Sequence, residues 1–228
     1  MAEPTPLDAN RIDGHLGTDW LFGRGGNDTL IWNSGDASDE LDGGDADDLV
    51  QINGRSTRDD ITVGQGGGSM KISDDVHTVS LNEGTVERVE LNAGGGNDWL
   101  VVNGLGTVGS IELTINGESG KDTIHAGDAA IGSVQLIVDG GAGDDTIVGS
   151  AGDDLITGGD GDDSIAGRSG NDAISGADGS DILRGESGDD SVVGDVGSDT
   201  LRGGQGNDEL YGNQDADFLT GDAGNDTL

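Results

Sequence analysis

The sequence contains no cysteine, only two prolines and only six aromatic residues in 228. Without cysteine, neither disulfides nor thiolate metal sites can form. Basic residues are also scarce: ten Lys and Arg stand against 46 Asp and Glu, for a formal net charge of −36. Nucleic acid and anionic membrane surfaces repel such a chain, whereas cations are attracted to it. No apolar run approaches the roughly 18 residues that a membrane-spanning helix needs, so no membrane span is expected. The first residues, MAEPTPLDANR, lack the apolar core of a cleavable signal peptide. Helical periodicity is missing throughout, so almost no helix is expected.

The usual catalytic and metal signatures are absent too. There is no H-E-x-x-H, no G-x-S-x-G and no EF-hand loop, and His15, His77 and His125 are scattered along the chain. The segment GLGTVG (residues 104–109) matches G-x-G-x-x-G, but a strand pattern, SIELTIN, follows where a dinucleotide site needs a helix. Carboxylates adjoin one another everywhere, so adjacency marks no acid–base pair. The reading is a protein that is not an enzyme within these residues.

What the chain has instead is glycine, 46 residues of it, and a period. From Gly140 onward the sequence repeats every nine residues without a gap, beginning at Gly140, Gly149, Gly158, Gly167, Gly176, Gly185, Gly194, Gly203, Gly212 and Gly221. Position 1 is always Gly, and position 4 is Gly except at Asp215. Position 6 is always Asp: Asp145, Asp154, Asp163, Asp172, Asp181, Asp190, Asp199, Asp208, Asp217 and Asp226. Position 8 is always Ile, Leu or Val, as in Ile147, Ile156, Leu183 and Val192.

This pattern resembles the RTX calcium-binding nonapeptide, G-G-x-G-x-D-x-U-x with U aliphatic, a known parallel β-helix signature. The resemblance implies an all-β fold, a parallel β-roll or β-helix solenoid with two short strands per 18-residue coil. The residues support that fold independently. A single inward aliphatic per short strand fills only a narrow core between two facing strand ladders. Coils stacked at roughly 4.8 Å set Asp154 over Asp172 and Asp163 over Asp181. Two such like charges repel by about 3–4 kcal/mol at an effective dielectric near 20. A hard divalent cation between them reverses the sign. Calcium suits the gap because it takes six to eight oxygens in flexible geometry, backbone carbonyls included; magnesium demands a tighter octahedron. The ten turns split into two columns of five, giving at most eight Ca2+ sites in 140–228.

Earlier in the chain the pattern degenerates. Repeats can be placed at Gly14, Gly23, Ser34 and Gly43, with Asp19, Asp28, Asp39 and Asp48 at position 6 and a two-residue insert, Trp32-Asn33, between them. Wider units follow, carrying Asp98, Asp122 and Asp145 at spacings of 24 and 23. Asp98 joins the expected metal ligands, while Lys121 beside Asp122 is expected to supply the positive charge there. Residues 55–91 hold strand-like segments, DITV, SMKIS, VHTVSL and VERVEL, which suit either irregular coils or a small antiparallel insert. The chain thus divides into an N-terminal tail (1–13), degenerate repeats (14–51), wider irregular coils (52–139) and the regular roll (140–228).

The resemblance further implies a calcium-binding module of an exported bacterial protein. Such a module is secreted by the type I route and folds on calcium outside the cell. The repeats stop within the tenth nonapeptide and no secretion signal follows, which suggests a piece of a longer chain. Two alternatives stay open: an accessory module of a secreted protease, lipase or epimerase whose catalytic domain lies elsewhere, and an adhesin-type segment. Trp20, Trp99 and Phe218 at position 7, with Phe22 and Tyr211 at position 9, are expected to point outward, where they pack under loops or cover strand faces; the alternative is a glycan or self-association face. Position 3 carries no Thr in any of the ten repeats, which argues against an ice-binding array.

Overall fold

The computed structural model describes residues 9–66, 69–74, 78–81, 85–103, 111–127 and 135–228. Among them every regular element is a strand. The strands form two facing sheets of ten and twelve members, and successive strands alternate between them except over residues 60–81, where three in a row stay in the twelve-stranded sheet. Within the regular tract each strand pairs in parallel with the strand one coil away. Leu155–Asp160 pairs with Ala173–Asp178, matching Ile156 to Ile174, while Ser164–Ser169 pairs with Ile182–Ser187, matching Ile165 to Leu183. This is the stacked solenoid that the period implies, and its strands are longer than three residues, running from position 7 of one repeat to position 3 of the next.

The burial pattern follows from strand geometry. Alternate side chains face opposite sides, so positions 8 and 1 point inward and positions 7 and 9 outward. The core of the regular tract is therefore one aliphatic and one glycine per strand: Ile147, Ile156, Ile165, Ile174, Leu183, Val192, Leu201 and Leu210 are all buried. Truncating one of them leaves a cavity that this thin core cannot close by collapse. Leu183→Ala is expected to cost about 2–5 kcal/mol. The outward neighbour Ile182, 42% exposed, should change stability by less than about 0.5 kcal/mol on the same truncation. Thermal unfolding of both variants in saturating calcium checks the contrast.

The N-terminal half has a wider core because several of its strands present two inward aliphatics, although Trp20–Gly25 and Glu40–Asp45 bury one leucine and one glycine each. Val50 and Ile52, Val89 and Leu91, and Leu113 and Ile115 are examples, and all are buried. The insert Trp32-Asn33 lengthens the strand Thr29–Asn33 and sets Trp32 opposite Ile52, fully buried, with its Nε1 donating to the Ala37 carbonyl at 3.0 Å. Asn33 starts a ladder at the strand ends. Asn53, Asn92 and Asn116 each donate a side-chain amide to the Asn before them in the stack, at 3.0, 3.2 and 2.7 Å.

Residues 55–91 resolve into both expected forms. Asp60–Gly66, Ser69–Ser73 and Thr78–Leu81 make an antiparallel meander inside the twelve-stranded sheet. The strand Arg88–Asn92, from VERVEL, instead joins the other sheet in parallel, between Leu49–Asn53 and Glu112–Asn116. The expected outward aromatics do lie on the outer faces, with Trp20 and Phe218 the most exposed and the Trp20 and Phe22 rings 6.1 Å apart. His77 and the GLGTVG segment lie outside the described residues.

Candidate metal centre

Two columns of aspartates run along the margins of the roll, where the chain turns from one sheet to the other. The rungs are held by a repeated contact that the stacking argument alone does not supply. The backbone N–H of each position-6 Asp donates to Oδ1 of the Asp one coil later. One column reads Asp59, Asp98, Asp122, Asp145, Asp163, Asp181, Asp199, Asp217, with distances of 2.6–3.0 Å. The other reads Asp154, Asp172, Asp190, Asp208, Asp226, at 2.8–3.1 Å. Near the N-terminus, Asp19 donates to Asp39 at 2.8 Å and Asp28 to Asp48 at 2.7 Å, and Glu87 accepts from Asp48 at 2.9 Å.

That bond accounts for one carboxylate oxygen and leaves the other. Oδ2 is buried without a hydrogen-bond partner in Asp28, Asp39, Asp48, Asp98, Asp122, Asp145, Asp163, Asp172, Asp181, Asp190, Asp199 and Asp208. In ten of the twelve these oxygens point into the turn, toward the position-1 glycine of their own repeat; Asp39 and Asp98 have Ser34 and Ala93 at that position, and Asp39 Oδ2 lies by Gly14 instead. A Cβ placed on Gly176 would lie 2.1 Å from Asp181 Oδ2 and 2.9 Å from the Gly194 carbonyl oxygen. On Gly140 it would lie 2.6 Å from Asp145 Oδ2 and 2.5 Å from the Gly158 carbonyl oxygen. Position 1 is glycine because those two oxygens converge where a side chain would begin. Position 4 is glycine for backbone reasons: Gly161, Gly179 and Gly197 have φ of 130°, 152° and 139°, and a Cβ there would strike the carbonyl of the preceding coil.

An anionic oxygen and a carbonyl oxygen converging in a buried turn, with no donor between them, form a donor set for a hard cation. Among the described residues no three His, Cys, Asp or Glu side chains gather at one point. A cation held here would take side-chain oxygens from the aspartates and complete its shell from the main chain.

The electrostatics agree with that chemistry. Burial pushes the carboxyls up, with their amide bonds opposing and the neighbouring aspartates reinforcing the shift. Asp98, Asp145, Asp163, Asp181 and Asp190 rise to about 6 and Asp172 to about 7. A buried unpaired ion carries an effective penalty of several kcal/mol. A cation or a proton at these oxygens relieves that penalty.

The sequence-predicted residues divide into three groups. Asp28, Asp39, Asp48, Asp98, Asp145, Asp163, Asp172, Asp181, Asp190, Asp199 and Asp208 all carry the unpartnered buried oxygen. Asp19, Asp217 and Asp226 stand in the columns but are only half-buried. Asp154 is buried, yet both its oxygens are already bonded: Ser150 N–H donates to Oδ2 at 2.6 Å and Ser150 Oγ to Oδ1 at 2.7 Å.

Two residues were passed over. Lys121 does not neutralise Asp122; its Nζ lies 3.7 Å from Asp144, with both side chains largely exposed, and Asp122 has the same unpartnered oxygen as its neighbours. Asp59 is a further rung, the sixth residue of GRSTRDDIT, a repeat disguised by Thr57 at position 4. Position 5 also contributes an outer ladder. Asn171, Ser180, Asp189 and Asn207 donate their N–H groups at 2.7–2.9 Å to Asp153, Asp162, Asn171 and Asp189 of the preceding coil.

A family model described as the RTX calcium-binding nonapeptide repeat (4 copies) matches residues 7–31, 114–130, 139–174, 167–201 and 193–228, more than half of the chain. No curated protein matches the chain significantly.

Proposed function

The chain belongs to the RTX calcium-binding nonapeptide-repeat family, and from that premise we propose that its buried aspartate columns are the calcium sites and that calcium binding and folding are one event. The molecule is a calcium-binding β-roll module. The observation that carries the rest is the set of twelve buried Oδ2 atoms without hydrogen-bond partners among the described residues. These oxygens, from Asp28 through Asp208, together with position-1 carbonyls, hold the ions. When bound, calcium supplies the positive charge that the sequence itself does not provide.

In this reading the aspartates bind and orient, and the glycines leave room for the ion against the backbone. The aliphatic core is too thin to hold the coils together against their own charge. The module stays unfolded where calcium is scarce and folds where it is millimolar, which suits a protein exported unfolded and active outside the cell.

Isothermal titration calorimetry with calcium and with magnesium tests the assignment. Several calcium ions per chain are expected, with Kd of roughly 10⁻⁴–10⁻³ M, as in extracellular calcium modules. Heats and stoichiometry that are the same for magnesium, or no uptake at all, would sink it.

A further inference from the structure

The hydrogen bonds along each column run in one direction, and this leaves the first rung different from the rest. Every carboxylate within a column receives the N–H of the Asp one coil earlier. The carboxylates of Asp59 and Asp154 have no such Asp before them, and the chain fills both places in the same way. Arg55 N–H donates to Asp59 Oδ2 at 2.6 Å, just as Ser150 N–H donates to Asp154 Oδ2 at 2.6 Å. The side chain of the same residue then serves Oδ1: Arg55 Nε at 2.8 Å and its second nitrogen at 2.7 Å, or Ser150 Oγ at 2.7 Å; at Asp59 the Ser34 hydroxyl adds a further bond to Oδ1 at 3.2 Å.

Arg55 and Ser150 both occupy position 2, and their backbone explains the difference. Elsewhere in the columns position 2 takes a left-handed conformation, even where it is not glycine: Arg168, Ala177, Glu186 and Asp195 have φ of 76–86°. Arg55 and Ser150 do not have positive φ. Turned the other way, their N–H groups enter the turn and reach the oxygen that stays unpartnered at the rungs below. Asp59 and Asp154 are accordingly missing from the set with an orphaned Oδ2.

We propose that the Gly54–Asp59 and Gly149–Asp154 turns are metal-independent starting rungs, in which position-2 donors occupy the place that calcium takes further along each column. The proposal rests on the calcium reading above and adds a boundary to it. Asp59 and Asp154 order without an ion and fix the register from which each calcium column is built. Of the gaps between successive aspartates after residue 140, the one between Asp154 and Asp172 holds no ion.

Counting calcium by native mass spectrometry, with circular dichroism to verify the fold, tests this on the full chain in millimolar calcium. Asp154→Asn should bind as many ions as the unsubstituted chain, because an amide still satisfies Ser150. Asp172→Asn, one rung along, should bind at least one fewer. Ser150→Gly removes the hydroxyl and frees the backbone to turn left-handed, so it should bind one more. If Asp154→Asn loses an ion as Asp172→Asn does, or if a folded Ser150→Gly gains none, the starting-rung assignment is wrong while the calcium reading stands. If the unsubstituted chain takes up no calcium, the calcium reading itself has failed.

Discussion

Stripped of calcium at pH 7.5, the purified chain should give the far-ultraviolet circular dichroism of a coil, and millimolar calcium should convert it to β-structure over a narrow concentration range. The effect is expected to be nearly all or none because of where the charges sit. The formal charge is −36, and among the described residues twelve carboxylates are buried with one oxygen unpartnered. The opposing aliphatic core is a single residue per strand through the regular tract. Each calcium site contributes RT ln(1 + [Ca2+]/Kd), about 1.4 kcal/mol at ten times Kd, and several sites acting on one folding equilibrium make the transition steep. Adjacent coils share their rungs, so partial occupancy leaves neighbours unsupported, as in other solenoids with nearest-neighbour coupling. A calcium-free chain with the same β-signal at pH 7.5 would contradict this.

Acid should do part of calcium's work. The carboxyls of Asp98, Asp145, Asp163, Asp181 and Asp190 are raised to about 6 and that of Asp172 to about 7, from the ordinary 3.8, first because of burial. A folded-state pKa above the unfolded one means that the folded chain binds more protons. The resulting stabilisation is fully present below about pH 4 and is lost as pH rises through 6 to 7. In calcium-free buffer, lowering the pH from 7.5 to 5 should therefore increase β-structure, whereas a protein whose carboxylates are paired in salt bridges loses stability on acidification. The same linkage makes calcium compete with protons, so uptake at pH 6 releases protons and apparent affinity falls below pH 7. Circular dichroism across this range in calcium-free buffer, and calorimetry in buffers of differing ionisation enthalpy, read the two effects. Loss of residual structure on going from pH 7.5 to 5 would be the opposite sign and would overturn the account of the buried oxygens.

The regular tract was legible because one period fixes everything about it. Nine residues carry one inward aliphatic, one glycine facing the carboxylate and one left-handed glycine, so the register of Ile156 on Ile174 follows from counting. The columns Asp145–Asp217 and Asp154–Asp226 were legible for the same reason. What escaped is local conformation. Asp59 was hidden because Thr57 stands where position 4 usually has glycine, and only the stacked N–H to Asp98 reveals it as a rung. Lys121 adjoins Asp122 in sequence, but both lie in the turn before the strand Thr123–His125, where the Asp122 carboxylate is buried and the exposed ammonium lies near Asp144 instead. Ser150 and Ala177 both stand at position 2, and no composition rule says that one turns its N–H inward while the other is left-handed. In the wider coils the asparagine ladder from Asn33 to Asn116 recurs at spacings of 20, 39 and 24. A fixed-period search does not find it.

A crystal structure determined from millimolar calcium, with anomalous scattering used to place the ions, reaches the central claim most directly. Ca2+ should lie about 2.3–2.6 Å from Oδ2 of Asp163, Asp172, Asp181 and Asp190, with position-1 carbonyl oxygens completing the shell. Finding those oxygens bonded to water or turned out to solvent, with no ion in the turns, would contradict it.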